Sequence, residues 1–308
     1  MMTPPNTTNN SAFEAYFTQT LLPAVQSLHV ARQRVRNRRR WIALLIIGLA
    51  IGWGFWLLPY GQMYLLFPTV VGGVALLMAF SAPSSLDDKY KALLNPLLLR
   101  YYFEELRHQP GPVGVCRALL KNKLWPDKII HHFERDYFQA RSGNIWCEGF
   151  HLRLDKLSRS SRNNSEPFFE GLILKMAWSR PFTGNLVICR NTVRKAAAEG
   201  YSPLANTGTG EGSNLLFFSD HYDASHPLLS SSGVRAMIVQ LFDLDPDIYR
   251  VFFVDGFMYV AVECDSNVLE YSFNTDYSSP LPFQKMLPHL QVLPQICRVY
   301  ERYLNPSP

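Results

Sequence analysis

Cysteine is scarce in this chain and none of its usual pairings is present. The 308 residues hold five, Cys116, Cys147, Cys189, Cys264 and Cys297. No CxxC occurs and the total is odd, which excludes a zinc ribbon, a CxxC redox centre and a fully paired disulfide framework; reduced, partly buried thiols are expected. The short catalytic signatures are missing as well. There is no HExxH and no GxSxG, and Ser230-Ser231-Ser232-Gly233 lacks the leading glycine and reads as a helix N-terminus. Gly208, Gly210 and Gly212 lie in NTGTGEG, without the Lys-Ser or Lys-Thr ending by which a P-loop reaches phosphate, so a plain loop is expected. Charge, finally, is absent from residue 41 to residue 80.

What fills that neutral stretch is apolar. Two uncharged runs, Trp41 to Leu58 and Met63 to Phe80, flank Pro59-Tyr60-Gly61-Gln62, a turn by composition. At about 1.5 Å rise per residue, each run crosses a hydrocarbon core of roughly 30 Å, where only internally bonded backbone is tolerated. The stretch therefore predicts a two-helix transmembrane hairpin with spans 41–58 and 63–80. Gly48 and Gly52 form a small-xxx-small pair and Gly72-Gly73 lies midway along the second run, which predicts close helix packing.

The charges beside the hairpin set its orientation. The formal net charge is +5, from 30 Lys and Arg against 25 Asp and Glu. Residues 1–40 carry six Arg and one Glu, a surplus of five, so 24 basic and 24 acidic residues remain beyond them. The surplus is Arg32, Arg34, Arg36, Arg38, Arg39 and Arg40. The positive-inside rule puts this cluster in the cytoplasm, and two spans return residues 81–308 to the same side. A multi-pass membrane protein with both termini cytoplasmic is expected. The cluster also predicts attraction to anionic lipid headgroups, at about 1 kcal/mol per basic residue near the surface. A neutral remainder argues against a nucleic-acid partner.

In chain order, residues 1–10 are polar and expected to be disordered. Residues 11–40 are expected to form an amphipathic juxtamembrane helix, with Ser11 and Glu14 as a capping box and a kink or restart at Pro23. Its apolar face suits a membrane surface, a coiled-coil arm that makes a homo-oligomer, or the protein's own soluble domain. Residues 81–160 read as a mainly helical segment, with helices over LDDKYKALLNPLLLRYYFEEL, Val113 to Lys121 and Lys128 to Phe138. From about Arg141 the apolar period moves toward two. Strands are expected at Ile145 to Leu152, Phe168 to Trp178, Asn185 to Arg190, Asn214 to Ser219, Arg250 to Val254, Phe257 to Glu263 and Val268 to Ser272, with Asp255-Gly256 as a hairpin turn. Ser232 to Phe242 and Pro282 to Tyr303 read as helices, completing an α+β domain over residues 161–308. The fold class is thus a membrane-anchored α+β protein: a transmembrane hairpin followed by a cytoplasmic mixed α+β domain with an antiparallel sheet.

This order of features resembles a known family. AFEAYFTQTLLPAVQSL before the arginines, the hairpin, DDKYKALLNPLL, FFEGLILKMAW, FTGNLVI, NLLFFSDHYDASHPLL and RVFFVDGFMYVAVE with NVLEYS are together similar to a bacterial two-span membrane family, the domain of unknown function numbered thirty-one thirty-seven. The resemblance runs from about residue 12 to residue 304. It implies a LemA-type membrane protein as a partner and brings no activity, cofactor or catalytic residue. The chain departs from the family at His221 to His226, where relatives tend to carry an acidic pair before a helix.

Two polar groupings resemble metal ligands. Asp220, His221, Asp223 and His226 fall within one short stretch, but on a helix His221 and His226 would diverge by about 140°, so turn chemistry is expected. His131-His132 with Glu134 and Glu148 forms the second, and a solvated helix face is the simpler reading. Two functions follow: a membrane-tethered binding or scaffold module without catalysis or cofactor, or a membrane-bound metal-dependent hydrolase using Asp220 to His226 with His131 and Glu148. Transport is disfavoured because the spans carry no charge.

Overall fold

The computed structural model of the chain describes residues 7–57, 69–75, 85–109, 111–122, 124–125, 129–157, 165–179, 182, 184–190, 200–204, 214–220, 227–264, 268–272 and 275–304. By its contacts the chain forms two units, Met1–Leu94 with Tyr271–Pro280, and Asn95–Glu270 with Leu281–Pro308. The boundary expected at residue 160 is therefore corrected, since it would separate two strands paired in one sheet.

The first unit is helical. Helix α1 (Thr7–Tyr16) continues through a π-helical turn, Phe17–Leu21, into α2 (Leu22–Leu57). At the kink or restart expected at Pro23 the helix passes through this wider turn, in which the Leu22 N–H bonds to the Phe17 carbonyl just before the residue that has no N–H to give. Phe13, Phe17, Leu21 and Val25, four residues apart, are all buried. A second set at the same spacing, Leu86, Tyr90 and Leu94, is buried on α4 (Ser85–Arg100). Arg32 is drawn into this unit, with its Nη1 3.2 Å from Asp276 Oδ1 and its side chain only 14% exposed. Around it Tyr277 packs on Tyr90 and Tyr271, each ring centroid 5.4 Å away.

Beyond the arginines α2 changes character. Ser11–Trp56, a run of 46 residues, is long and apolar enough to cross a membrane by length and composition. Trp41, Leu45, Leu49, Phe55 and Trp56 are each more than 60% exposed, so apolar surface faces outward on several sides. Residues 69–75, described as helix α3, approach α2 where a Cβ on Gly72 would stand 3.2 Å from the Ala50 Cβ. Among the described residues a Cβ on Gly48, Gly52 or Gly73 would meet nothing within 4 Å. The turn at 59–62 and most of the second run lie outside the described residues.

The second unit is built on a nine-stranded antiparallel sheet. Its strands are β1 (Glu105–Gln109), β2 (Ile129–Ser142), β3 (Ile145–Leu157), β4 (Ser165–Ala177), β5 (Leu186–Arg190), β6 (Ser202–Pro203), β7 (Leu215–Ser219), β8 (Ile248–Val254) and β9 (Phe257–Glu263), ordered β1-β2-β3-β4-β9-β8-β5-β7-β6. The helix expected over Lys128 to Phe138 is corrected to strand. Buried Glu134 and Asp136 and a bulge between Arg135 and Phe138 break the period of two that would have revealed it. The segment 81–160 is thus not mainly helical: α4 ends at Arg100 and α5 (Arg117–Lys121) is a single short helix between strands. Val268 to Ser272 is turn and irregular chain rather than strand, with Leu269 at φ +64°. The β8–β9 hairpin turns as expected through Asp255 and Gly256, both at positive φ.

One sheet face is covered by α7 (Ser232–Leu244) and α9 (Leu287–Leu304), which pack on each other and on β8, β2 and β3. Short helices α6 (Pro227–Ser230) and α8 (Leu281–Gln284) precede them. Glu301 on α9 accepts from the Asn144 backbone N–H at 3.0 Å, tying the helix to the β2–β3 turn. The opposite face carries Phe150, Leu152, Leu154, Phe169, Ile173 and Phe252 beneath α5 and Trp125, whose ring lies 5.1 Å from those of Phe169 and Phe252.

Gly171 marks how closely this sheet is packed. A Cβ there would fall 2.1 Å from the Val262 carbonyl oxygen of the paired strand. Backbone cannot swing aside as a side chain can, so Gly171→Ala is expected to destabilise the sheet by about 3 kcal/mol. Denaturant titration checks this, with the open turn position Gly256 as a contrast: Gly256→Ala meets no atom there and carries only its positive-φ cost.

Candidate functional site

Carboxylates buried in a sheet must find donors, and Glu134 finds four. Its Oε1 accepts from the backbone N–H groups of Val113, Gly114 and Val115 at 2.9, 2.8 and 3.3 Å, and its Oε2 from Cys116 at 3.0 Å. Gly114 at φ +80° lets the loop curl so that successive N–H groups point inward. Burial alone would raise the Glu134 carboxyl, but the Cys116, Val113 and Val115 donors prevail and hold it below its ordinary range. The Cys116 thiol, pushed up to about 12 by burial and then by Glu134, is inert. All five cysteines are buried and none forms a disulfide.

A second polar knot sits at the β2 bulge. Asp136, at φ +53°, accepts from Asn95 Nδ2 at 3.1 Å, and the same amide donates to the Leu269 carbonyl at 3.2 Å. His108 Nε2 lies 4.0 Å from the Asp136 carboxylate with both side chains almost fully buried. Burial lowers the imidazole from its ordinary value of 6.5 and keeps it neutral.

The sheet face under α5 is only half covered. Past the edge of that cover, Arg107, Gln139, Glu148 and Lys175 pair across β1 to β4 in one row. In the next row Glu105 pairs with Arg141 and Arg141 with Trp146, and Ala177 pairs with Phe257. Trp146 is 51% exposed. Arg107, Gln139, Trp146, Glu148, Lys175 and Phe257 line a cavity of about 380 Å³ on this face. None of Arg107, Trp146 or Phe257 stands out in the sequence, although Trp146 shares the alternation phase of Glu148, and that phase was the available signal.

The expected site residues are dispersed. Asp220 is turn chemistry, accepting from the Asn185 backbone N–H at 2.7 Å and its Nδ2 at 2.8 Å, while His221, Asp223 and His226 lie outside the described residues. His131 pairs with Asp155 and Glu148 with Gln139, which places the two about seven residues, or roughly 23 Å, apart along the sheet. They cannot share a metal, and among the described residues no group of three His, Cys, Asp or Glu is placed to hold one. Of the arginines, Arg34, Arg36, Arg38 and Arg40 are exposed, Arg39 is half-buried, and Arg32 belongs to Asp276.

The two knots give stability a pH dependence. Because the folded chain holds His108 neutral while the unfolded chain protonates it near 6.5, its share of stability is complete above that pH and is lost below it. Glu134, whose folded carboxyl is depressed, adds a further loss as pH falls toward its own titration. Denaturant midpoints should fall between pH 7.5 and 5.5, and His108→Gln should flatten that fall. Glu134→Gln should cost about 2 kcal/mol at neutral pH, the worth of hydrogen bonds to a charged acceptor.

No family model and no curated protein matches the chain. Among solved structures it is similar to the crystal structure of the mycobacterial trehalose monomycolate transport factor A, at 7% identity and a TM-score of 0.35, over 68% of this chain and 96% of that one. A likeness at that score bears on neither mechanism nor ligand.

Proposed function

We propose that the protein is a membrane-tethered binding or scaffold module: a helical anchor in the bacterial inner membrane holding an α+β domain at its cytoplasmic face. One observation carries the reading. The outer half of α2 presents large apolar side chains that the protein leaves uncovered, directly after a run of exposed arginines. In water so large an apolar surface is unfavourable, whereas in a bilayer it needs no cover. The approach of Ala50 to Gly72 supports a returning second span, and hence both termini on one side. The domain beyond it uses its buried carboxylates as structure, through the bonds to Glu134 and Asp136, and this favours binding over catalysis. Membership of the two-span family, with a LemA-type neighbour, and self-association of the anchor are parts of the same proposal.

Topology tests it. Reporters fused after Tyr60 and at the C-terminus should read opposite sides of the membrane, and agreement between them would overturn the hairpin. Leu49→Arg should cost about 3 kcal/mol of insertion at mid-span, seen as protein extracted from membranes by alkaline carbonate.

A further inference from the structure

The open part of the sheet face has the layout of a recognition slot. Continuing the register one step past Cys147 and Met176 brings Trp146 beside Ala177, which pairs in turn with Phe257. Adjacent strands lie about 4.8 Å apart, so the aromatic residues stand on strands about 10 Å apart with only a methyl group between them. A flat or branched apolar side chain fits between two such walls. Neighbouring charges are mostly paired within the sheet: Lys175 Nζ is 3.1 Å from Glu148 and 4.1 Å over the Phe257 ring, and Arg141 Nη2 is 2.5 Å from Glu105. Arg107 differs. It is exposed on edge strand β1, and no ion pair or hydrogen bond engages its guanidinium among the described residues.

We propose that this slot binds an extended acidic peptide segment of a partner protein, with an apolar residue between Trp146 and Phe257 and a carboxylate on Arg107. The proposal rests on the tethered-module reading and names the partner's chemistry. Charge complementarity selects the occupant. A guanidinium takes a carboxylate in a planar, two-pronged pair. With Lys175 matched by Glu148 and Arg141 by Glu105 and Glu104, Arg107 is the one cation of this patch that no acid engages among the described residues, which suits a single acid rather than a polyanion. Spacing selects the register. Ala177 and Arg107 stand three strands and one row apart, about 16 Å, and four residues of an extended peptide rising about 3.4 Å each span about 14 Å of it, leaving positions i and i+4 on one face and the rest to the long Arg107 side chain. Trp and Arg are also the side chains that most often anchor protein interfaces.

The test uses the full chain in lipid nanodiscs and a fluorescein-labelled peptide, acetyl-Phe-Ser-Thr-Ser-Glu-amide, followed by anisotropy. Saturable binding is expected, weakened about tenfold or more by Trp146→Ala, by Arg107→Glu and by replacing the peptide's Glu with Gln. A peptide ending in Lys should recover binding to Arg107→Glu, a charge-swap rescue that misfolding cannot produce. Unsaturable binding, or equal binding by the wild type and Arg107→Glu, would overturn the proposal. So would oligo-dT or phosphatidylglycerol vesicles competing through the same two residues, which would assign the slot to a polyanion or a lipid. The reporters after Tyr60 and at the C-terminus are read in parallel in intact cells expressing the same chain. Opposite sides without peptide binding defeat the slot alone, and matching sides defeat the tether whatever the peptide does.

Discussion

The carboxylate of Glu134 decides how much of the sheet is covered. Its four backbone donors fix the loop Val113 to Cys116, that loop starts α5, and α5 with the following Trp125 closes over Phe150, Leu152 and Phe169. A carboxylate at that depth without donors would be far too costly to keep. With them, it becomes the clamp that seats a short helix no longer than five residues, which could not hold its own shape in water. Where the clamp ends, the cover ends, and Trp146 is left in the open.

The two sheet faces thus have different duties. Helices α7 and α9 close one of them, with α9 held to the β2–β3 turn by Glu301 and to β4 through the Tyr300 hydroxyl, which donates to the Ala177 carbonyl. That bond passes through the strand that also carries the floor of the slot. Rigid backbone under a recognition surface reduces the ordering cost of binding. The helical unit is organised differently, around a buried stripe on α1 and α2 and an arginine withdrawn from the exposed cluster by Asp276.

Much of this was legible in the residues. The β8–β9 hairpin was marked by Asp255-Gly256, because few residues accept positive φ and a two-residue turn demands it. Helix α7 followed from its apolar spacing and ends within two residues of expectation. Strand β2 did not, since Glu134 and Asp136 occupy buried positions where pattern reading expects apolar side chains, and the bulge between Arg135 and Phe138 shifts the phase midway. The slot was equally hidden: Trp146 and Phe150 share one alternation phase, yet one is exposed and the other fully buried.

The sequence by itself determined the long apolar helix and its charged flank, because an uncharged apolar run and an adjacent arginine cluster are properties of composition and order that need no partner to be read. It also determined the local turns and the best-patterned strands and helices, whose periods are set within a few residues. Only the tertiary structure decided that Arg32 pairs with Asp276, that Ala50 meets Gly72, and that His131 and Glu148 stand far apart. Each of these depends on which distant segment arrives alongside, a choice made by sheet register and helix packing across tens to hundreds of residues and carried by no local pattern.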